Sequence, residues 1–291
     1  MQMSISNFEY FSPRSSEEAC SFLLEHKGEA RVLAGGQSLI PLMKLGLVDI
    51  KYVVDLKRIA ALKEISIDGN QLRIGSLVTH SEIEQSLIIK NNVPLLSEAA
   101  SKIGHPQVRN RGTIGGSLSH ADPAADLIPT MLVLEANFVL ASPTQRRRIR
   151  AMDFVKGPFL TDLRAGEILE KVEIQEQQGM IHSFEKLTLG HGDFPVVVVS
   201  VLARIENGSF EEVRIALGGV AEVPFRAKDA EISLVGKMMT EENFEMAAKI
   251  AASTTKPEGD QVLSKSYRKR MAEVYTMKAL RNLSRQISGT R

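Results

Sequence analysis

The sequence predicts a two-domain protein that mixes helices and strands. The chain has 291 residues, which is more than a single hydrophobic core usually serves. A polar stretch, Gln-Glu-Gln-Gln-Gly at 175–179, follows a region in which strand, helix and hairpin patterns alternate. Beyond this stretch, three successive strand patterns are followed only by helical ones. We therefore expect one domain at 1–176 and a second at 177–291.

The first elements form a strand, helix, strand unit behind an N-terminal helix. Ser15 is placed to cap that helix, and Glu18 stands at the capping-box distance from it. The pattern then predicts a strand at 31–34, a short helix capped by Ser38, a strand at 52–56 and a hairpin at 64–77.

A further helix is predicted to begin at Asp122-Pro123. Aspartate is a preferred cap, and proline suits the first helical position. We expect this helix to run to Glu135. The other elements predicted here are helices that follow Ser81 and Pro94 and a hairpin at 137–150.

In the second half, Asn207-Gly208 separates two apolar stretches and predicts a tight hairpin turn. Strands are predicted at 182–189, 195–205 and 210–217, and helices at 226–235, 241–252 and 267–283.

Composition argues against several classes of function. The formal net charge of +1 gives no reason to expect nucleic acid or an anionic membrane as the main partner. The basic run at 146–150 is interpreted as a solvated strand end, because aromatic residues that could stack on bases are missing around it. No secretory signal is visible, and the most apolar stretch, 196–202, is too short to span a bilayer. We therefore expect a cytoplasmic protein.

Cysteine and histidine usage argues against a metal centre in this chain. Cys20 is the only cysteine, so no internal disulfide can form, and an iron–sulfur cluster generally takes about four cysteines. The six histidines lack the paired spacing of a zinc site. Cys20 lies among apolar residues of the first helix and is interpreted as a small hydrophobic residue.

Two glycine pairs are the main candidates for a binding site. Gly35-Gly36 and Gly115-Gly116 lie about eighty residues apart, each beside an apolar stretch. A glycine pair lets the backbone turn sharply and lets its N–H groups approach a large anion. Ser38, Thr113 and Ser117 place hydroxyl groups beside the pairs. Two such loops facing each other could hold both phosphates of a dinucleotide, although a tight turn explains either pair alone equally well.

Polar residues near the second pair have two interpretations each. Asp122 is explained as a helix cap, and Asp126, one turn further on, suits the helix dipole. The functional alternative for Asp126 is a hydrogen bond from a ribose or a ring N–H group. Arg109 and Arg111 either hold a cofactor or a loop, or belong to a solvated connector with structural ion pairs.

Several separate motifs follow one another in a fixed order. Residues 34–44, Ala-Gly-Gly-Gln-Ser-Leu-Ile-Pro-Leu-Met-Lys, form the first, and further motifs lie at 103–105, 108–116, 121–126, 157–159, 166–169, 184–187 and 267–268. Together they resemble the FAD-binding medium subunit of molybdenum hydroxylases. That family includes the medium subunits of carbon monoxide dehydrogenases and the flavin domain of xanthine dehydrogenases.

The resemblance implies an α+β fold. A two-part FAD-binding domain of the PCMH type would precede a smaller domain with a three-stranded antiparallel sheet and a helical bundle. Residues 33–39 and 113–117 would wrap the FAD pyrophosphate. Ile103 and Leu169 would touch the ring system or the adenine, and Lys186 would lie near the flavin.

The cofactor-binding residues that the resemblance implies depart from the family pattern at two positions. Phe194 stands where some relatives carry a tyrosine that covers the isoalloxazine ring, and Ser117 replaces a common asparagine or aspartate. The implied set is Leu33, Ala34, Gly35, Gly36, Gln37, Ser38, Leu39, Ile103, Thr113, Ile114, Gly115, Gly116, Ser117, Asp122, Asp126, Leu169, Lys186 and Phe194.

The implied function is electron transfer. A large molybdenum subunit would oxidise the substrate, and a small [2Fe–2S] subunit would pass the electrons to this chain's FAD and on to NAD⁺, a quinone or another acceptor. The protein's task would be to bind and tune the flavin, so no residue is expected to be catalytic. The alternatives are a self-contained flavin oxidase or dehydrogenase and a nucleotide-binding module without redox function.

Overall fold

The computed structural model describes residues 7–259 and 261–288. The chain opens with a small parallel sheet in which the strand at 52–55 lies between the strands at 9–11 and 30–33. Ser15 caps the first helix by accepting the N–H of Glu18, while the Glu18 carboxylate accepts the N–H of Arg14. The elements are β1 Glu9–Phe11, α1 Ser16–Glu25, β2 Ala30–Leu33, α2 Leu39–Lys44 and β3 Tyr52–Asp55.

A five-stranded antiparallel sheet follows, and both predicted hairpins of this region are confirmed as its edges. Its elements and the helices between them are β4 Ile65–Asp68, β5 Gln71–Gly75, α3 His80–Gln85, α4 Leu87–Asn92, α5 Pro94–Ser101, α6 Pro106–Arg109, α7 Ile114–His120, α8 Leu127–Val133, β6 Asn137–Ala141, β7 Arg146–Arg150, α9 Ala151–Phe154, β8 Val155–Gly157, β9 Leu160–Thr161 and β10 Ile168–Gln175. The strand order is β4-β5-β10-β6-β7, while β8 and β9 pair separately.

The core of this region lies between the sheet and helices α5, α7 and α8. Ile74, Phe138 and Val172 from the strands meet Leu96 and Met131 from the helices, and all five are fully or almost fully buried. Burying one such side chain stabilises the fold by roughly 1.5–3 kcal/mol. This packing fixes the sheet against the helices that carry the candidate site.

The basic run on β7 forms ion pairs along the edge of the sheet. Arg146 contacts Glu170 at 2.9 Å and Arg148 contacts Glu173 at 2.8 Å, in both cases from the guanidinium Nε. Arg147 binds Glu167 with two nitrogens, each at 2.8 Å. Arg150 pairs with Asp153, so each arginine has an acidic partner on the protein, and the run forms the whole edge strand β7 rather than only a strand end.

The helix predicted from Asp122 to Glu135 is wrong in its first turn. Residues 122–126 form an isolated turn, and α8 begins only at Leu127. The Asp122 carboxylate accepts the N–H of Ala124 at 2.8 Å, and its carbonyl accepts the N–H of Ala125 at 2.9 Å. Asp122 therefore caps a single turn rather than the start of a helix. The helix α8 ends at Val133, two residues before the predicted end at Glu135.

The described residues of the C-terminal region form a four-stranded antiparallel sheet and three helices. A short fourth strand, Phe225–Arg226, pairs with the strand Ser209–Gly218 where a helix was predicted to begin, so the expected count of three strands is too low by one. Asn207 and Gly208 both adopt positive φ angles, as a tight hairpin turn requires. The elements are β11 Ile181–Leu187, β12 Val197–Glu206, β13 Ser209–Gly218, β14 Phe225–Arg226, α10 Lys228–Leu234, α11 Glu241–Ser253 and α12 Lys265–Ser288.

The C-terminal sheet is covered on both faces, which explains the uninterrupted apolar run of β12. One face packs on α8, and there Thr130 and Ser200 share a buried hydrogen bond of 3.0 Å. The other face packs on α10, α11 and α12 around Val199 and Leu280. Among the described helices, none combines the length and apolar character needed to cross a bilayer.

Candidate functional site

The two glycine pairs lie against each other. A Cβ atom built on Gly35 would be 2.0 Å from the carbonyl oxygen of Arg111 and 2.9 Å from the Cα of Gly112. A Cβ atom on Gly116 would lie 3.6 Å from the Cβ of Ala34. Sequence segments about eighty residues apart therefore meet with backbone against backbone, and Gly35 is required for that approach.

The first pair presents a row of main-chain donors. Among the described residues, no acceptor bonds the N–H groups of Gly35, Gly36, Gln37 or Ser38. Gly36 adopts a φ angle of +75°, which places the chain in a conformation that glycine favours. Ser38 precedes α2, but its hydroxyl makes no capping bond, contrary to expectation. Successive unpaired N–H groups in a turn form a concave binding place for an anion.

The second pair differs from the first, because it lies inside α7 rather than in a loop. Thr113 caps the helix by accepting the N–H of Gly116 at 3.1 Å. The N–H groups of Ile114, Gly115 and Ser117 are bonded to main-chain carbonyls at 2.9–3.0 Å. The second pair therefore offers no row of free N–H groups like that at residues 35–38. The glycine at 115 instead allows close packing, since its Cβ atom would be 2.4 Å from the Cβ of Ser76.

A buried ion pair lies where the two regions meet. Lys186 of β11 contacts the two carboxylate oxygens of Asp126 at 2.9 and 3.0 Å and donates to the carbonyl of Lys102 at 3.1 Å. The side chains of Lys186 and Asp126 are 9% and 8% exposed. Burial raises the pKa of Asp126 to about 6, an effect that Lys186 opposes and Asp122 increases. The ion pair thus joins Asp126 of the first region to Lys186 of the second.

Arg109 holds a loop, which is one of the two alternatives for this residue. Its Nε contacts Glu84 at 2.8 Å, and its Nη1 donates to the carbonyls of Ile103 and Gly104, each at 3.3 Å. Ile103 is half-buried beside the central core. Arg111 is exposed next to the first glycine pair. The structure thus assigns Arg109 to the protein scaffold and leaves Arg111 facing solvent.

A loop from the second region, at 188–195, packs over the segment that contains His105. The rings of His105 and His191 lie 5.3 Å apart between centroids, and a Cβ atom on Gly192 would be 2.5 Å from the His105 ring. Phe194 follows in the same loop with 66% of its surface exposed. The loop therefore touches the connector, while the phenyl ring of Phe194 points to solvent.

The structure separates most of the implied residues into four groups. Residues 34–38 and 113–117 form one cluster, and Ile103, Asp126 and Lys186 lie around a second. The side chains of Ile114 and Leu169 are buried in the central core, so these side chains serve packing. Leu33 and Leu39 pack beside a small core of their own at α2.

His80 was not found by sequence reasoning. It is 3% exposed, its backbone N–H donates to the carbonyl of Gly112 at 2.9 Å, and a Cβ atom on Gly112 would be 2.9 Å from the nearest atom of its ring. Burial lowers its pKa to about 4, with a smaller contribution from Arg109. The available signal was the capping box formed by Thr79 and Glu82, which starts α3 at His80, whereas the helix was expected to follow Ser81.

Comparison with known families covers most of the chain. Residues 6–175 match the family described as the FAD binding domain in molybdopterin dehydrogenase. Residues 182–283 match the family described as the CO dehydrogenase flavoprotein C-terminal domain.

Individual relatives are similar over nearly their full length. The glyceraldehyde dehydrogenase medium chain of Sulfolobus acidocaldarius is 35% identical over 95% of this chain and 98% of its own. A structure of carbon monoxide dehydrogenase from Hydrogenophaga pseudoflava has a TM-score of 0.94 at 36% identity, with 96% and 98% covered. Quinoline 2-oxidoreductase from Pseudomonas putida 86 has a TM-score of 0.94 at 34% identity, with 98% and 99% covered.

Proposed function

The chain belongs to the family of FAD-binding medium subunits of molybdenum hydroxylases, and from this premise we propose its place in an electron path. It is an oxidoreductase subunit with FAD as its cofactor. The proposed path runs from [2Fe–2S] clusters of a small partner subunit to the FAD, and on to NAD⁺, a quinone or another acceptor. The single cysteine, Cys20, supports the division between subunits, because one cysteine cannot ligate such a cluster.

The observation that carries the proposed site is the contact between the two glycine segments. Unpaired N–H groups from Gly35 to Ser38 can donate to a diphosphate without a lysine, and Gly116 of α7 lies beside them next to Ala34. The Ser38 and Ser117 hydroxyls can add donors at its edges. We propose that this cradle holds the FAD pyrophosphate through the N–H groups of residues 35–38 alone, without a second row of N–H groups at 113–117.

Bound FAD would supply the electron-accepting and electron-donating ring. Lys186 and Asp126 would set the charge beside it, because they are buried and close to the loops at 103–105 and 188–194. A lysine held at a fixed place stabilises negative charge that develops on a neighbouring group. The chain's own residues thus bind and tune the cofactor and supply no acid or base.

The proposed domains are 1–176 and 177–291. The separate matches at 6–175 and 182–283 support a boundary between β10 and β11. The proposed partners are a large molybdenum-cofactor subunit and a small [2Fe–2S] subunit. The relatives' different names, one for glyceraldehyde and one for carbon monoxide, support assigning substrate choice to another subunit. The cytoplasmic location stays a prediction.

The test is purification of the intact complex with flavin, molybdenum and iron analysis. The proposal expects one FAD per copy of this chain, together with a large chain that carries molybdenum and a small chain that carries iron. Reduction of the flavin by substrate should need both partners. A chain that purifies alone and oxidises a substrate by itself would support the self-contained oxidase instead.

A further inference from the structure

The first turn of α12 carries a motif, Tyr267-Arg268, that the proposed site does not use directly. We propose that Arg268 is a positioning residue for the cofactor pocket. From the C-terminal domain it fixes the backbone segments that carry Asp126 and Phe194. The inference rests on the proposed function, because it concerns the pocket assigned there to FAD.

One connection leads from Arg268 to Asp126. The Nη1 of Arg268 donates to the carbonyl of Gly219 at 3.3 Å. The N–H of Gly219 in turn donates to the carbonyl of Pro123 at 3.0 Å. Pro123 belongs to the capped turn that ends at Asp126. The guanidinium is therefore linked to the turn that carries Asp126 through the two peptide groups that flank Gly219.

A second connection leads to the loop at 188–195. The same Nη1 of Arg268 donates to the carbonyl of Val196 at 3.4 Å. The N–H of Val196 donates to the carbonyl of Leu187 at 2.8 Å, so this bond closes the base of the loop. Leu187 follows Lys186, and Phe194 lies two residues before Val196. Both ends of the loop are thus held at one point.

The two connections meet because of Gly219. Its φ angle is +77°, and a Cβ atom there would be 2.9 Å from the carbonyl oxygen of Val196. The end of β13 therefore lies directly on the start of β12, and one guanidinium reaches both carbonyls. Both bonds come from the same Nη1, which carries two N–H groups and part of the guanidinium charge, so one donor atom ties the two carbonyls together.

The test uses the intact complex after removal and re-addition of FAD. We compare R268Q with R270Q, a control on the same helix whose exposed guanidinium pairs with Glu273. R268Q is expected to weaken FAD binding by about tenfold and to change the visible circular dichroism of the bound flavin. R268K should recover part of both effects, and R270Q should match the wild type.

Wild-type FAD affinity and an unchanged flavin spectrum in R268Q would overturn the inference, even with a lower Tm. If R268Q does not fold, the R268K variant decides. Faster amide exchange at 190–196 and 218–220 together with weaker FAD binding would support the inference. Wild-type amide exchange and wild-type FAD affinity would overturn it. If the FAD site itself is assigned wrongly, the G35A variant will retain all its flavin. That result distinguishes a failure of the proposed function from a failure of the inference about Arg268.

Discussion

The carbonyl oxygen of Arg111 lies where a side chain on Gly35 would begin, 2.0 Å from the position of the Cβ atom. A contact this short to backbone cannot be relieved by a rotamer change, so any larger residue must move one segment away from the other. The glycine thus joins two segments that are far apart in sequence. The proposed role of Gly35 in cofactor binding depends on that packing, because the neighbouring N–H groups depend on the same geometry.

Gly35→Ala is expected to lose most of its FAD and to destabilise the protein by about 1–3 kcal/mol, the usual cost of overpacking. The measurement is the flavin-to-protein ratio of the purified complex, with thermal unfolding beside it. Gly157→Ala is the matched control, because a Cβ atom there meets only ordinary contacts at 3.8 Å or more. A G35A complex with full flavin content would contradict the site.

The two members of the second pair should respond differently to the same change. A Cβ atom on Gly115 would be 2.7 Å from the backbone oxygen of Ser76, whereas one on Gly116 meets the Thr113 hydroxyl at 2.9 Å. We expect Gly115→Ala to cost roughly 2 kcal/mol of unfolding free energy and Gly116→Ala clearly less. Chemical denaturation of both variants checks the order. Equal losses would mean that Gly115 is not placed against Ser76.

Lys186→Met should leave the Asp126 carboxylate buried without its cation. Breaking a buried pair in this way costs about 3–5 kcal/mol, and Lys186→Met with Asp126→Asn should recover part of the loss. Removal of the positive charge should also lower the flavin reduction potential, since reduced flavin is anionic. Spectroscopic redox titration measures that shift. A potential equal to wild type would remove Lys186 from the flavin's surroundings.

His80 should make stability fall as the pH is lowered from about 7 to 5. Its folded pKa of about 4 lies below the ordinary value of 6.5, so the unfolded chain binds more protons in this window. The loss from this one group is about 2 kcal/mol at pH 5. Denaturant unfolding of the wild type and of His80→Gln measures it as the difference between the two pH dependences.

Asp126 acts in the opposite direction, which is why the comparison with His80→Gln is needed. Its pKa of about 6 is raised by burial, so its contribution to stability is present below the ordinary 3.8 and is lost as the pH rises through 6. The contribution of Asp126 is the same in the wild type and in His80→Gln, so it cancels when the two pH dependences are subtracted. Identical pH dependences for both proteins would show that His80 is not buried in its neutral form.

Local signals in the sequence predicted much of the fold. Asn207-Gly208 identified its hairpin, because few residues accept two successive positive φ angles. Asp122-Pro123 misled the prediction, since the same cap chemistry serves a single turn as well as a helix. The short strand at Phe225–Arg226 gave no periodic pattern, because two residues are too few to show one.

The site was predicted less completely than the fold. The glycine pairs are visible as residues, but whether their N–H groups are free depends on partners elsewhere, such as Ser76 and Val78 for the second pair. The Asp126–Lys186 pair joins residues sixty positions apart, so no local pattern shows it. His80 and Arg268 act through backbone groups of other segments, which is information that only the folded chain contains.

Amide hydrogen exchange at residues 35–38, with and without FAD in the intact complex, is the most direct test of the proposed cradle. If these N–H groups grip the diphosphate, peptides that cover them should exchange markedly more slowly when flavin is bound, while the already bonded amides of 114–117 change little. Unaltered exchange at 35–38 in a fully flavinated complex would show that the pyrophosphate is held elsewhere.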